Sequence, residues 1–330
     1  MPFLWIVFGL VLLVAGAELL VRGAVRLAER AGVSVLFTGL VLVGFGTSTP
    51  EVMTSIQGSL AGSPGIAVGN IVGSNLFNSL VILGVAAMIH PLAVARGALL
   101  RDGVVMAALA LAFVPLGLFG ALDRTAGVLL CTLLAGYLVL AWRQERIAAE
   151  GGPHGAAYDK AEAFAATDPA LCPRPPAPDG LLAWLLPAGA AILGLALLLL
   201  GARLLVGGAI DLARAIGTSE AVIGLTLVAA GTSLPELAAT TLAAARRQAE
   251  VAVGSVLGSN VYNILGIGGL TALVAPTEVP AEVARFDTPV MALAALVLLA
   301  FLASGRRLSR AEGAALLVGY LIYVAMLWPG

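Results

Sequence analysis

Apolar residues along this chain come in stretches of membrane length. They cover roughly 3–21, 35–58, 65–89, 98–120 and 125–142 and, after a polar interval, roughly 181–206, 220–243, 250–274, 287–304 and 311–328. About 20 apolar residues carry a helix across a ~30 Å hydrocarbon core. With no water there to satisfy the backbone, each run is expected to be helical. A membrane β-barrel would show short alternating segments instead, and these runs are continuous. The interval "RQERIAAEGGPHGAAYDKAEAFAATDPALCPRPPAPDG", residues 143–180, is polar and rich in Pro and Gly and holds the only lysine, Lys160. It reads as a flexible linker. The pattern predicts an all-α polytopic membrane protein with ten transmembrane helices: a first five-span unit at 1–142, a linker at 143–180, and a second five-span unit at 181–330.

Composition sharpens the class. The 330 residues are 60% hydrophobic and 11% charged, with a mean hydropathy of +1.02, against ~45–50% apolar in soluble domains. The 40 glycines suit close approach of membrane helices. The N-terminal "MPFLWIVFGLVLLVAGAELL" lacks a positive leading region and reads as a first span, not a cleaved signal peptide. The 18 Lys and Arg are scattered, so nucleic acid is not an expected partner. Cys131 falls in an apolar run and Cys172 in the linker, which argues against a disulfide framework.

The two halves repeat. A shift of 185 residues lays Gly39–Glu51 on Gly224–Glu236 with nine of 13 positions identical, and lays "AVGNIVGSNLFN" (67–78) on "AVGSVLGSNVYN" (252–263) with seven of 12 identical. One register across two motifs marks an internal duplication, a recurring feature of transporters. Because each unit has an odd number of spans, the second must enter the membrane upside down. With both termini outside, 14 Lys and Arg fall in inside loops or the linker and 4 outside, in line with the positive-inside rule. The linker is therefore expected in the cytoplasm and both termini in the periplasm.

The repeated motifs carry the chemistry. "GFGTSTPE" ends in Glu51 and "AAGTSLPE" in Glu236, and a carboxylate at mid-span costs ~2.5–3.5 kcal/mol or more. On a helix, Thr47 and Ser48 share a face with Glu51. Pro50 removes a helical donor and frees a carbonyl near Gly46. Thr232, Ser233, Pro235 and Glu236 rebuild this patch, and inversion brings the two together near the midplane. Ser74 and Asn78, and Ser259 and Asn263, are spaced four apart and add a hydroxyl and an amide to each half. All are hard oxygen donors, suited to calcium and equally to sodium; the absence of His and Cys from this cluster argues against zinc or copper. Neither G-x-S-x-G nor H-E-x-x-H occurs, so an intramembrane hydrolase is disfavoured, and inverted duplication suits alternating access better than a channel. Glu18 and Arg203, though aligned by the repeat, are expected near opposite membrane faces and not paired.

These four motifs together resemble the alpha-repeats of the sodium/calcium exchanger family, within the cation/calcium antiporter superfamily. The resemblance implies two inverted five-helix repeats with broken helices at the ion site. It implies a secondary transporter, not an enzyme: an alternating-access antiporter of a bacterial-type cytoplasmic (inner) membrane that exchanges calcium for sodium. Its partners are those ions and the lipid bilayer, with no cofactor and no obligatory protein partner. Carried over by position, Glu51 and Glu236 would coordinate calcium with the carbonyls of Thr47 and Thr232. Ser48, Ser74, Ser233 and Ser259, with the carbonyls of Gly44 and Ala229, would form flanking sodium sites, and Asn78 and Asn263 would line the centre. Many such exchangers carry Asp where this chain has Asn263, which leaves two carboxylates here. The alternative on the same scaffold is a calcium/proton exchanger, but that branch usually shows a GNxxE-type motif, which these repeats lack.

Overall fold

The computed structural model describes residues 2–31, 46–94, 99–119, 121–148, 156–167 and 180–328. The first half contains α1 (Pro2–Arg30), α2 (Thr49–Leu60), α3 (Pro64–Ile89), β1 (Leu92–Ala93), α4 (Val104–Phe119), β2 (Ala121–Leu122) and α5 (Arg124–Ala148). A further helix, α6 (Ala156–Thr167), follows. The second half contains α7 (Leu181–Ile216), α8 (Glu220–Thr232), α9 (Leu234–Ala245), α10 (Ala249–Val274), β3 (Thr277–Glu278), α11 (Val283–Gly305), β4 (Arg307–Leu308) and α12 (Arg310–Leu327).

Seven of these helices (α1, α3, α5, α7, α10, α11 and α12) are long and apolar enough to cross a bilayer, and the count is eight if α8 and α9, bent by 51°, form one broken span. The apolar stretch of α4 is shorter, and the expected run at 35–58 is described only from Gly46. The described residues therefore supply seven or eight of the ten expected spans.

Apolar side chains face outward as well as inward. The apolar window of α10 is 100% buried and that of α3 83%, against 33% for α1, 22% for α7 and 17% for α12. Phe3, Leu4 and Phe8 on α1, Leu186 and Ile192 on α7, and Leu321 on α12 stand exposed, as side chains facing lipid would. The two helices bearing the Ser/Asn motifs thus form the centre, and α1, α7 and α12 lie at the rim.

The halves are stitched by glycine. A Cβ on Gly9 would lie 2.8 Å from the carbonyl of Gly201, one on Gly16 2.8 Å from that of Gly194, and one on Gly23 2.5 Å from that of Pro187. As numbers rise on α1 they fall on α7, so the two helices run antiparallel in backbone contact. The shift of 185 carries Gly9 onto Gly194 and Gly16 onto Gly201, so each contact recurs with the halves exchanged. The short strands behave alike: β1 pairs antiparallel with β4 and β2 with β3, and the same shift carries β1 onto β3.

Two π-helical stretches, Phe77–Ile82 in α3 and Tyr262–Ile267 in α10, are also repeat mates and contain Asn78 and Asn263. Such widened turns often accompany functional sites. Each stretch packs on the other half's Glu-bearing helix, Tyr262–Ile267 on α2 and Phe77–Ile82 on α9.

One expectation is corrected. Residues 156–167, inside the stretch read as a flexible linker, are helical and pack on α9 and α10. Within α6, Ala163 and Phe164 are buried in a cluster with Val21, Val25 and Ala239. That packing supplies the apolar burial that the composition of the interval as a whole does not suggest. His154 and Cys172 lie outside the described residues.

Candidate ion site

The site forms where both Glu-bearing motifs break their helices. Before α2, the chain makes a turn at Thr47 and Ser48, so these two do not continue the helix of Glu51 as their spacings of four and three residues suggested. Ser48 is the N-cap, Pro50 sits in the first turn and Glu51 follows it. Proline lacks the donor that would have met the carbonyl of Gly46, and the hydroxyl of Thr49 donates to that carbonyl instead. In the second half the break falls at Ser233, between Thr232 and Leu234, with Glu236 in the first turn of α9. The carbonyl of Ala229 accepts from the backbone N–H of Ser233 at 3.1 Å and from the Thr232 hydroxyl at 3.3 Å. The carbonyl of Gly44 lies outside the described residues.

The two patches meet. Ser233 Oγ donates to Glu51 Oε1 at 3.5 Å, across the halves. Asn70 extends the link: its Nδ2 donates to the Glu51 carbonyl at 3.1 Å and to Ser55 Oγ at 2.9 Å, and its Oδ1 accepts from Thr232 Oγ1 at 3.2 Å. Asn78 Nδ2 donates to Asn260 Oδ1 at 3.1 Å, and Asn260 Nδ2 donates to Ser79 Oγ at 2.8 Å. Thr47, Ser48, Ser74, Asn78, Thr232, Ser233, Ser259 and Asn263 are all buried, as are both glutamates.

Several oxygens in this buried set have no hydrogen-bond partner among the described residues: Glu51 Oε2, Glu236 Oε2, Ser74 Oγ, Ser259 Oγ and Asn78 Oδ1. Buried polar atoms are nearly always satisfied. Two pairs of these unsatisfied oxygens stand at repeat-related positions, and all are hard oxygens of the type a hard cation takes.

A cation side chain also reaches the site. Lys160 of α6 is fully buried. Its Nζ donates to Ser48 Oγ at 2.6 Å, stands 3.7 Å from Glu236 Oε1 and lies 5.1 Å from the centre of the Tyr262 ring. Burial pushes its pKa below the ordinary lysine value, while the carboxylates of Glu236 and Glu51 pull the other way. Beside it a cleft of about 250 Å³ opens, lined in part by Glu18, Val21, Thr47, Phe164 and Pro235. Glu18 pairs with Arg22 on its own helix.

Sequence reasoning singled out neither Lys160 nor Asn70 as a site residue. Lys160 was visible only as the chain's lone lysine. Asn70 stood inside a quoted motif, but its repeat mate is Ser255, so the symmetry that flagged the other residues passed over it.

Comparisons with known proteins converge. The family model described as sodium/calcium exchanger protein matches residues 1–143 and 186–328. The putative antiporter CaxA of Alkalimonas amylolytica is 34% identical over 328 residues, covering 98% of each chain. The sodium/calcium exchanger MaX1 of Methanosarcina acetivorans is 34% identical over 346 residues, covering 99% of this chain and 98% of its own. The inner membrane protein YrbG of Escherichia coli is 33% identical, covering 98% and 95%. Among solved structures, the sodium-calcium exchanger NCX_Mj soaked with sodium and strontium superposes with a TM-score of 0.60 at 28% identity, covering 99% of both chains.

Proposed function

Because this chain belongs to the sodium/calcium exchanger family, a family of multi-pass membrane antiporters, we propose that it exchanges calcium for sodium across a bacterial-type cytoplasmic membrane by alternating access, with the ions held between Glu51 and Glu236. One observation carries this reading. The two carboxylates reach a common buried site from repeat-related helix breaks, each with an oxygen unpartnered among the described residues. The hydroxyls of Ser74 and Ser259 stand in the same condition, and carbonyls at the two breaks, with Asn78 and Asn263, complete a set near the six to eight oxygens calcium prefers. In this reading the termini are periplasmic and 143–180 is cytoplasmic, as the basic-residue bias indicates.

The driving ion is read directly in proteoliposomes loaded with sodium. Uptake of calcium-45 should follow an outward sodium gradient and stay near background under a proton gradient of equal size. Proton-driven uptake with no response to sodium would instead establish the calcium/proton exchanger.

A further inference from the structure

Lys160 is the only lysine of the chain, and α6 places it at the oxygen cluster described above. Its ammonium touches Ser48, from the first Glu motif, and faces Glu236, from the second. The ring of Tyr262, one residue before Asn263, lies beneath it. The helix behind it is anchored: Ala163 and Phe164 are buried against α1 and α9, and Arg246 Nη1 donates to the carbonyl of Ala166 at 3.2 Å, at the end of α6. A buried ammonium is costly unless it is well paired. Here the pairing groups are those assigned to the transported ions.

We infer that Lys160 is a tethered competitor for the ion site: α6 seats an ammonium between Ser48 and Glu236, and calcium binds fully only after α6 withdraws. This rests on the proposed assignment of that site to calcium. Charge supports it. The two glutamates supply two negative charges, matched to one divalent ion, and a seated ammonium cancels one of them. Covalent connection supports it too, since a side chain on a short tether competes at an effective concentration of order millimolar. Apparent affinity falls by the fraction of molecules whose site is free, so a lysine seated nine-tenths of the time raises the calcium requirement about tenfold.

The test compares the calcium dependence of initial calcium-45 uptake in proteoliposomes for the wild type, Lys160→Gln and Phe164→Ala. The first removes the charge; the second keeps it and loosens the anchor of α6. Both should lower the half-saturating calcium concentration, Lys160→Gln by about tenfold. Calcium-dependent thermal stabilisation in detergent reads the same shift at equilibrium and shows that the variants are folded. Unchanged half-saturation in both variants would overturn the inference. So would loss of transport in folded Lys160→Gln, which would make the lysine part of the transport machinery. Flux driven only by protons would refute the sodium reading and still leave the calcium shift to be scored in the same vesicles.

Discussion

At the scale of single residues, the glutamates were legible because they were expensive and repeated. A carboxylate in an apolar run is costly, and a second copy in register leaves packing as a poor explanation. Lys160 was not legible. Its surroundings are polar and rich in Pro and Gly, and only contacts made after folding, with Val21, Val25 and Ala239 behind its helix, bring it inside. Asn70 falls between these cases. Its amide joins the Glu51 backbone, Ser55 and Thr232, and thereby ties α2 to the end of α8. Asn70→Ala leaves buried groups unpaired, at about 1–3 kcal/mol. It should lower the thermal midpoint in detergent and weaken calcium stabilisation together. A midpoint and calcium response equal to the wild type would show that the link carries no load.

At the scale of elements, the apolar runs announced helices but not their partners. Hydropathy contains no record of which helix lies against which, so the α1–α7 seam emerged only from the positions at which a side chain has no room. Helix widening at Phe77–Ile82 and Tyr262–Ile267 was equally invisible, since no residue type there demands it. The seam makes a prediction within one helix. Gly201→Leu would drive a side chain into the backbone of Gly9 and Leu13, and overpacking of this kind costs about 1–3 kcal/mol or more. At Gly189, also on α7, an added Cβ meets nothing within 4 Å, and Gly189→Leu should be silent. Melting curves of the two variants in detergent should separate clearly; coincident curves would mean that close approach of α1 and α7 does not hold the halves together.

At the scale of the molecule, duplication is the organising fact. A shift of 185 residues relates the Glu motifs, the Ser/Asn motifs, the glycine contacts of α1 and α7, and two of the short strands. The sequence showed the first two because they are written in residue identities. The rest is written in contacts. The element that breaks the symmetry is α6, which has no counterpart in a two-part repeat and which compositional reading dismissed as linker. Its position also bears on the transport cycle: a helix packed on α9 and α10 of the second half and against Val21 and Val25 of the first bridges the two units that would rock about a central site.

The central claim is that calcium and sodium share a site built on Glu51 and Glu236. Sodium-driven calcium-45 uptake in proteoliposomes, measured for the wild type, Glu51→Gln and Glu236→Gln, tests it most directly. Each substitution keeps the side-chain shape and removes one of the two charges proposed to balance calcium. Truncating one partner of a buried charge contact costs about 2–5 kcal/mol, so each variant should fall to near background while it still folds and reconstitutes. Wild-type flux in both variants would contradict the account.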